Sequence, residues 1–216
     1  MDGTGPRHAA GLPPPLARRP YGVLRPADAE GTYSQPRPEF RRLTDRGVLH
    51  RLAPGYYAVV PQHSHDRPWL PSLEATAYGI AAADYGPDNV VLMGISAARL
   101  HGAIPRALAL AMVAVPKRRP QLALTDRKAI IQFALRDAHK LDAERTSTDL
   151  GTALVTTVEQ TLLDLAHRPD KWATPGEARD AVVALWARAD PQQLETLADA
   201  QRLRAALHRA RTWATT

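Results

Sequence analysis

The chain has 216 residues, 44% of them hydrophobic, with 28 Lys and Arg against 22 Asp and Glu and no cysteine. That length and apolar share suffice for a sizeable core in one large or two small domains, and the lack of cysteine excludes a disulfide framework and thiolate chemistry. With no signal-peptide pattern and no apolar run of about 18 residues, a cytoplasmic protein is expected, and the formal net charge of +6 permits a polyanionic partner without requiring one.

The basic surplus is uneven. Residues 1–62 hold nine Lys and Arg against five Asp and Glu, which leaves nineteen against seventeen for residues 63–216. Within residues 1–20, Gly and Pro recur at close intervals and include Pro13-Pro14-Pro15. This stretch reads as a disordered or weakly ordered leader, with a first helical turn at residues 16–19. Residues 23–30, with Pro26 near the start and Gly31 beyond the end, read as a short helix followed by a turn over 31–34.

Residues 36–61, PRPEFRRLTDRGVLHRLAPGYYAVVP, are the most informative stretch. Phe40, Leu43 and Val48 fall on one side of a helix while Arg37, Arg41, Arg42 and Arg46 point elsewhere. Gly47 stands where a left-handed C-cap is wanted. Residues 48–52 and 56–60 are then two β-prone runs joined across Ala53-Pro54-Gly55. An arginine-bearing helix followed by a basic hairpin is the second half of a winged helix-turn-helix, in which the helix enters the major groove and the wing follows the backbone.

Residues 63–71 read as a linker. Its His63 and His65, two apart with no third ligand at a usual spacing, do not make a metal site. Ser72 caps a helix over 73–85 that Gly86-Pro87 stops, residues 90–93 form a short buried run, and residues 96–101 form a helix ended by Gly102. Strand-like runs follow over 108–115, 129–135 and 153–155, with Lys117-Arg118-Arg119 reading as a solvated turn between the first two and auxiliary phosphate contact as its alternative. Thr156 and Glu159 suggest a capping box for a helix over 158–167 with Val158, Leu162, Leu165 and Ala166 inward. Thr174-Pro175-Gly176-Glu177 and Asp190-Pro191-Gln192-Gln193 open two further helices, with a phase break near Ala200.

The expected fold is therefore α/β (α+β): a leader over 1–20, an N-terminal winged helix-turn-helix over 21–62, a linker over 63–71, a mixed α/β middle domain over 72–170, and C-terminal helices over 174–213 packing on it.

Three patterns resemble those of the AbiEi antitoxins of bacterial toxin–antitoxin pairs and of related actinobacterial transcriptional regulators. They are LTDRGVLHRLAPGYY from Leu43 to Tyr57, ISAARLHG from Ile95 to Gly102, and TTVEQTLLDLA from Thr156 to Ala166, in the family's order. The resemblance implies an N-terminal winged helix that binds inverted repeats in double-stranded DNA at its own promoter. It also implies a C-terminal domain needed to neutralise a co-encoded nucleotidyltransferase-like toxin. A homodimer on the DNA is expected, since repeat-binding winged helices present two-fold symmetry.

Under that reading Arg37 and Arg41, on one helix face with Thr44, are the candidates for base edges, and Arg42, Arg46, His50 and Arg51 are placed for phosphates. No catalytic residue, cofactor or metal is assigned. Gly94-Ile95-Ser96-Ala97-Ala98 imitates a nucleophile elbow, but Asp164 and His167 stand three apart on one helix and would have to aim together at Ser96. The plainer expectation is that Ser96 caps a helix, Asp164 is a buried polar residue and His167 ends a helix favourably. Three readings compete with the repressing antitoxin: a DNA-binding regulator without a toxin partner, an antitoxin that promotes chemical modification of the toxin, and a pure interaction protein.

Overall fold

The computed structural model describes residues 11–64, 68–172 and 175–215. Residues 1–10 with Arg7, and also His65 and Thr174, lie outside the described residues. Residues 11–20 are not loose, contrary to expectation. Leu12 and Leu16, four apart, are 4% and 1% exposed and join the cluster of Phe40 and Leu43. The prolines help here, because Pro14 opens the single turn α1 (Pro14–Ala17) at a position that needs no amide hydrogen.

The helix expected over 23–30 is replaced by the strand β1 (Val23–Leu24) and a 3-10 turn, Pro26–Ala29. Next come α2 (Pro36–Asp45), β2 (Leu49–Ala53) and β3 (Tyr56–Val59), close to their expected bounds. The three strands form an antiparallel sheet of order β1-β3-β2, with Val23 opposite Ala58 and Leu24 opposite Tyr57. That pairing is why the helix fails: β-branched Val23 gains a strand partner far away in sequence, which outweighs local propensity. Gly47 ends α2 with φ +70°, a conformation that favours glycine.

The helix α3 (Leu73–Tyr85) joins the two halves of the molecule. Ser72 caps it, accepting from the Ala75 amide, and every residue from Leu73 to Ala82 is buried. A helix without a polar face must be covered on both sides. One cover is the small sheet, through Val23, Leu52, Ala53 and Ala58. The other is a six-stranded sheet, through Val113, Val115 and Val155, all in one apolar cluster. Buried Glu74 within α3 is satisfied by Arg99 Nε at 2.8 Å. Residues 63–71 thus connect two units that share a core, beginning with the 3-10 turn Gln62–Ser64 and ending at buried Pro71.

The larger sheet comprises β4 (Val91–Leu92), β5 (Leu110–Val115), β6 (Leu122–Ala123), β7 (Ile130–Leu135), β8 (Ala143–Thr148) and β9 (Gly151–Thr156), in the order β6-β7-β5-β4-β9-β8. The pairs β5/β7 and β4/β9 are parallel and the others antiparallel. Alternate residues of β5 serve opposite faces, with Ala111, Val113 and Val115 toward α3 and Met112 and Ala114 toward a second layer. That layer contains α4 (Gly94–Leu100), α5 (Val158–His167), α7 (Pro175–Trp186), α8 (Pro191–Ala200) and α9 (Arg204–Thr215), with the single turn α6 (Pro169–Trp172) between α5 and α7. The expected break near Ala200 is a turn in which Arg202 adopts φ +59°.

Two expected caps move. The N-cap of α4 is Met93, not Ser96, and the N-cap of α5 is Thr157, which accepts from the Gln160 amide, not Thr156.

Candidate nucleic-acid interface

The N-terminal unit sorts its side chains by period. On α2, Phe40 and Leu43 are fully buried, each contributing about 1.5–3 kcal/mol of apolar burial, while Arg37 and Arg41 one turn apart are exposed. The Phe40 ring meets Tyr57 of β3 edge-on with centroids 5.2 Å apart, bracing helix against hairpin. Thr44, on the same ridge as the two arginines, is half-buried and its hydroxyl donates to the Phe40 carbonyl at 2.8 Å.

The remaining residues expected at DNA divide. Arg51 is exposed and lies opposite Tyr57, on the face of the sheet that α2 covers. His50, its neighbour, necessarily points to the other face. There its Nε2 stands 3.0 Å from Asp126 Oδ2, and its ring meets Trp69 edge-on. Burial would raise the Asp126 carboxyl, but hydrogen bonds from Arg127 and His50 outweigh it and hold the group below its ordinary range. His50 therefore braces the small sheet on the large unit instead of facing outward with the arginines. Arg42 pairs with Glu39 at 2.9 Å on the surface, an interaction worth under about 1 kcal/mol that a phosphate can displace. Arg46 is exposed with its guanidinium beside Gly11.

A groove of about 550 Å³ separates the start of α2 from the hairpin tip, lined by Arg25, Glu30, Pro36, Arg37, Pro38 and Gly55 among others. Arg25 forms its wall and is held by two carboxylates, Asp28 at 2.9 Å and Asp84 at 2.8 Å. Asp84 also accepts from Tyr56 Oη at 2.7 Å and from Arg119, whose guanidinium lies 4.1 Å from the centre of the Phe133 ring and donates to Tyr56 Oη at 2.9 Å. Burial first, and then the hydrogen bond to Asp84, push the Tyr56 hydroxyl above its ordinary value. This knot was invisible in sequence. Arg25, Tyr56, Asp84 and Arg119 carry no local signal, because they meet only when β3, α3 and the loop after β5 pack. Arg119 consequently leaves the solvated turn in which Lys117-Arg118-Arg119 was expected.

The elbow-like serine is not an exposed nucleophile. Ser96 is fully buried and its Oγ accepts from the Met112 amide at 2.8 Å, tying α4 to β5. His167 is exposed whereas Asp164 is 3% exposed, and among the described residues no hydrogen bond joins either to Ser96. Burial raises the Asp164 carboxyl to about 6, against the opposing pull of Arg136 and Gln160, and among the described residues its Oδ2 has no hydrogen-bond partner. Burial, then nearby Arg168, Arg136 and Arg209, lowers His167.

The polar residues of the second and third sequence patterns are structural as well. His101 Nε2 is 2.7 Å from the Thr156 carbonyl, Thr156 and Thr161 bond through their hydroxyls at 2.7 Å, and Glu159 accepts from the Asp190 amide at 2.8 Å. Those patterns mark the joints of the larger unit, which pin α4 and α5 to β9 and α8 to α5.

Fold and surface define an α+β protein in which a basic helix and hairpin stand on a larger mixed-sheet unit closed by helices. Among solved structures, the chain is similar to the crystal structure of the RV2827C protein from Mycobacterium tuberculosis, with 18% identity over 89% of this chain and 75% of that one and a TM-score of 0.53, a likeness that shows the fold. No curated protein matches. The family described as the AbiEi antitoxin C-terminal domain matches residues 89–213, from just before β4 through most of α9. The chain belongs to the AbiEi antitoxin family, and its role is that of the antitoxin in a toxin–antitoxin pair. No helix among the described residues is long and apolar enough to cross a membrane.

Proposed function

We propose that this protein is a cytoplasmic, non-enzymatic antitoxin that neutralises a co-encoded nucleotidyltransferase-like toxin and represses its own operon by binding promoter inverted repeats through residues 21–62 as a winged helix. Family membership supports the antitoxin half. The observation that carries the DNA-binding half is that Arg37 and Arg41 stand exposed one turn apart on α2, while Phe40 and Leu43 of the same helix are buried against the hairpin. Element order supports it too. Helical turn, strand, 3-10 turn, helix and two strands, with sheet order β1-β3-β2, follow a winged helix in which the first two helices have shrunk to single turns.

In this reading Arg37 and Arg41 address base edges, with Thr44 beside them, while Arg51, Arg42 and Arg46 hold phosphates. Bidentate Arg to guanine supplies discrimination, and phosphate contacts set register. His50 serves by anchoring the hairpin on the large unit.

The test is binding of the full chain to the DNA immediately upstream of its own reading frame, against a shuffled duplex of equal length. Arg41→Ala should relax sequence preference, and Arg51→Ala should reduce the slope of log affinity against log salt by about 0.9. Coexpression with the neighbouring gene product completes it: Arg37→Ala with Arg41→Ala should abolish repression and leave neutralisation intact. Equal affinity of the wild type for both duplexes would overturn the operator reading.

A further inference from the structure

We propose that residues 116–120 of the large unit form a second phosphate-contacting element, in which Lys117 and Arg118 grip the DNA backbone beside the β2–β3 hairpin. The inference rests on the DNA-binding reading above and extends it to a part of the chain outside the winged helix.

Three adjacent cations in one loop look alike in sequence, and the structure divides them. Arg119 is the anchor: its side chain is only 15% exposed, bonded to Asp84 and Tyr56 and stacked on Phe133. It pins the loop to β3 at the first residue after the Pro54-Gly55 turn. Lys117 and Arg118 are exposed, and among the described residues neither has an ion-pair partner. Their position follows from contacts already described. Gly55 faces Arg37 and Arg25 across the groove, Arg25 shares Asp84 with Arg119, and Arg119 is next in the chain to Arg118. The loop therefore belongs to the end of the molecule that carries the hairpin tip and the start of α2.

Charge makes the assignment chemical. Asp28 and Asp84, the carboxylates in contact with Arg25, are taken up by Arg25 and Arg119, and Glu30 lines the groove with Arg37. Among the described residues Lys117 and Arg118 have no carboxylate partner, and they stand on a loop that Arg119 anchors. A flexible pair would lose side-chain and loop entropy on meeting a polyanion, whereas a loop already held avoids most of that cost. Contacts of this kind neutralise phosphates and position the protein, and they carry no base information.

The experiment compares the full-length wild type with Lys117→Ala/Arg118→Ala on the upstream duplex and on its shuffled control, across a salt series. The expected result is a slope of log affinity against log salt smaller by about 1.8, with the ratio between the two duplexes unchanged. Lys117→Arg/Arg118→Lys, which keeps both charges, should keep the wild-type slope, and unchanged melting of both variants confirms that the fold is intact. A wild-type slope in the alanine variant overturns the proposal. Arg37→Ala/Arg41→Ala separates the two readings. If it abolishes binding while the loop variant keeps the full slope, only the loop assignment falls, and if the wild type binds no duplex, both fall.

Discussion

Gly79 and Val23 interlock where α3 meets the small sheet: a Cβ built on the glycine would stand 2.5 Å from Val23 Cγ2 and 3.6 Å from the Tyr21 carbonyl oxygen. Glycine inside a helix ordinarily costs about 1 kcal/mol relative to alanine, so Gly79→Ala on an isolated helix would stabilise it. Here the stiff, buried valine cannot retreat. The expected outcome is destabilisation by about 1–3 kcal/mol in urea unfolding, shrinking when Val23→Ala is added. A gain in stability from Gly79→Ala alone would show that the two units do not meet there.

The knot around Asp84 is predicted to couple the two units energetically. Asp84→Ala strips two guanidinium groups and the Tyr56 hydroxyl of their shared acceptor and should cost about 2–3 kcal/mol. In a double-mutant cycle with Arg119→Ala the two losses should fall short of additivity by about 0.5–3 kcal/mol. Strict additivity would mean that Arg119 is held by Phe133 and Tyr56 independently of Asp84.

Asp164 should leave a signature in the pH dependence of stability. Its folded carboxyl is raised by burial to about 6 from an ordinary 3.8, so between those values the folded protein binds more proton than the unfolded chain. Stability from this group is therefore present below pH 3.8 and is lost as pH rises through 6. The separation corresponds to roughly 2–4 kcal/mol. Carboxylates held low, such as Asp126, act in the opposite sense and at lower pH, so the informative quantity is the difference between wild type and Asp164→Asn. Urea midpoints from pH 4 to pH 7 should show the asparagine variant gaining on the wild type as pH rises. Parallel curves would contradict a raised, buried Asp164 carboxyl.

Ser96→Ala tests the joint between α4 and β5. Without the hydroxyl, the buried Met112 amide hydrogen has no acceptor, and the expected loss is about 1–3 kcal/mol by chemical denaturation. A fluorophosphonate probe should not label Ser96 in the folded protein. Labelling of the native chain at that residue would show that the elbow-like serine is an accessible nucleophile.

Local chemistry was legible where an element carries its own start, stop and face. α2 announces itself by Phe40 and Leu43 on one side, arginines on the other and Gly47 behind. α3 does so by Ser72 and Gly86, and α8 by Asp190, whose carboxylate accepts from the Gln192 and Gln193 amides. Errors gathered where a distant partner decided the outcome. Val23 and Leu24 became a strand because β3 was there to pair with, β8 was missed because its Ala-Glu-Arg-Thr-Ser-Thr run has no apolar face, and residues 11–17 were held by Leu12 and Leu16 finding Phe40. The capping serine and threonine shifted for a related reason, since the Ser96 hydroxyl accepts from Met112 across the core and the Thr156 hydroxyl bonds to Thr161 inside α5.

The amino-acid sequence by itself determined which helix carries the arginines, which of its sides is apolar, and the family to which the larger unit belongs, since all three depend on residue order within single elements. Tertiary structure alone decided that His50 turns inward while Arg51 stays out, that Arg119 is an anchor while Lys117 and Arg118 are exposed, and that the two units share one core across α3. Those outcomes depend on which charges and surfaces packing brings within a few ångströms, and no spacing along the chain encodes that proximity.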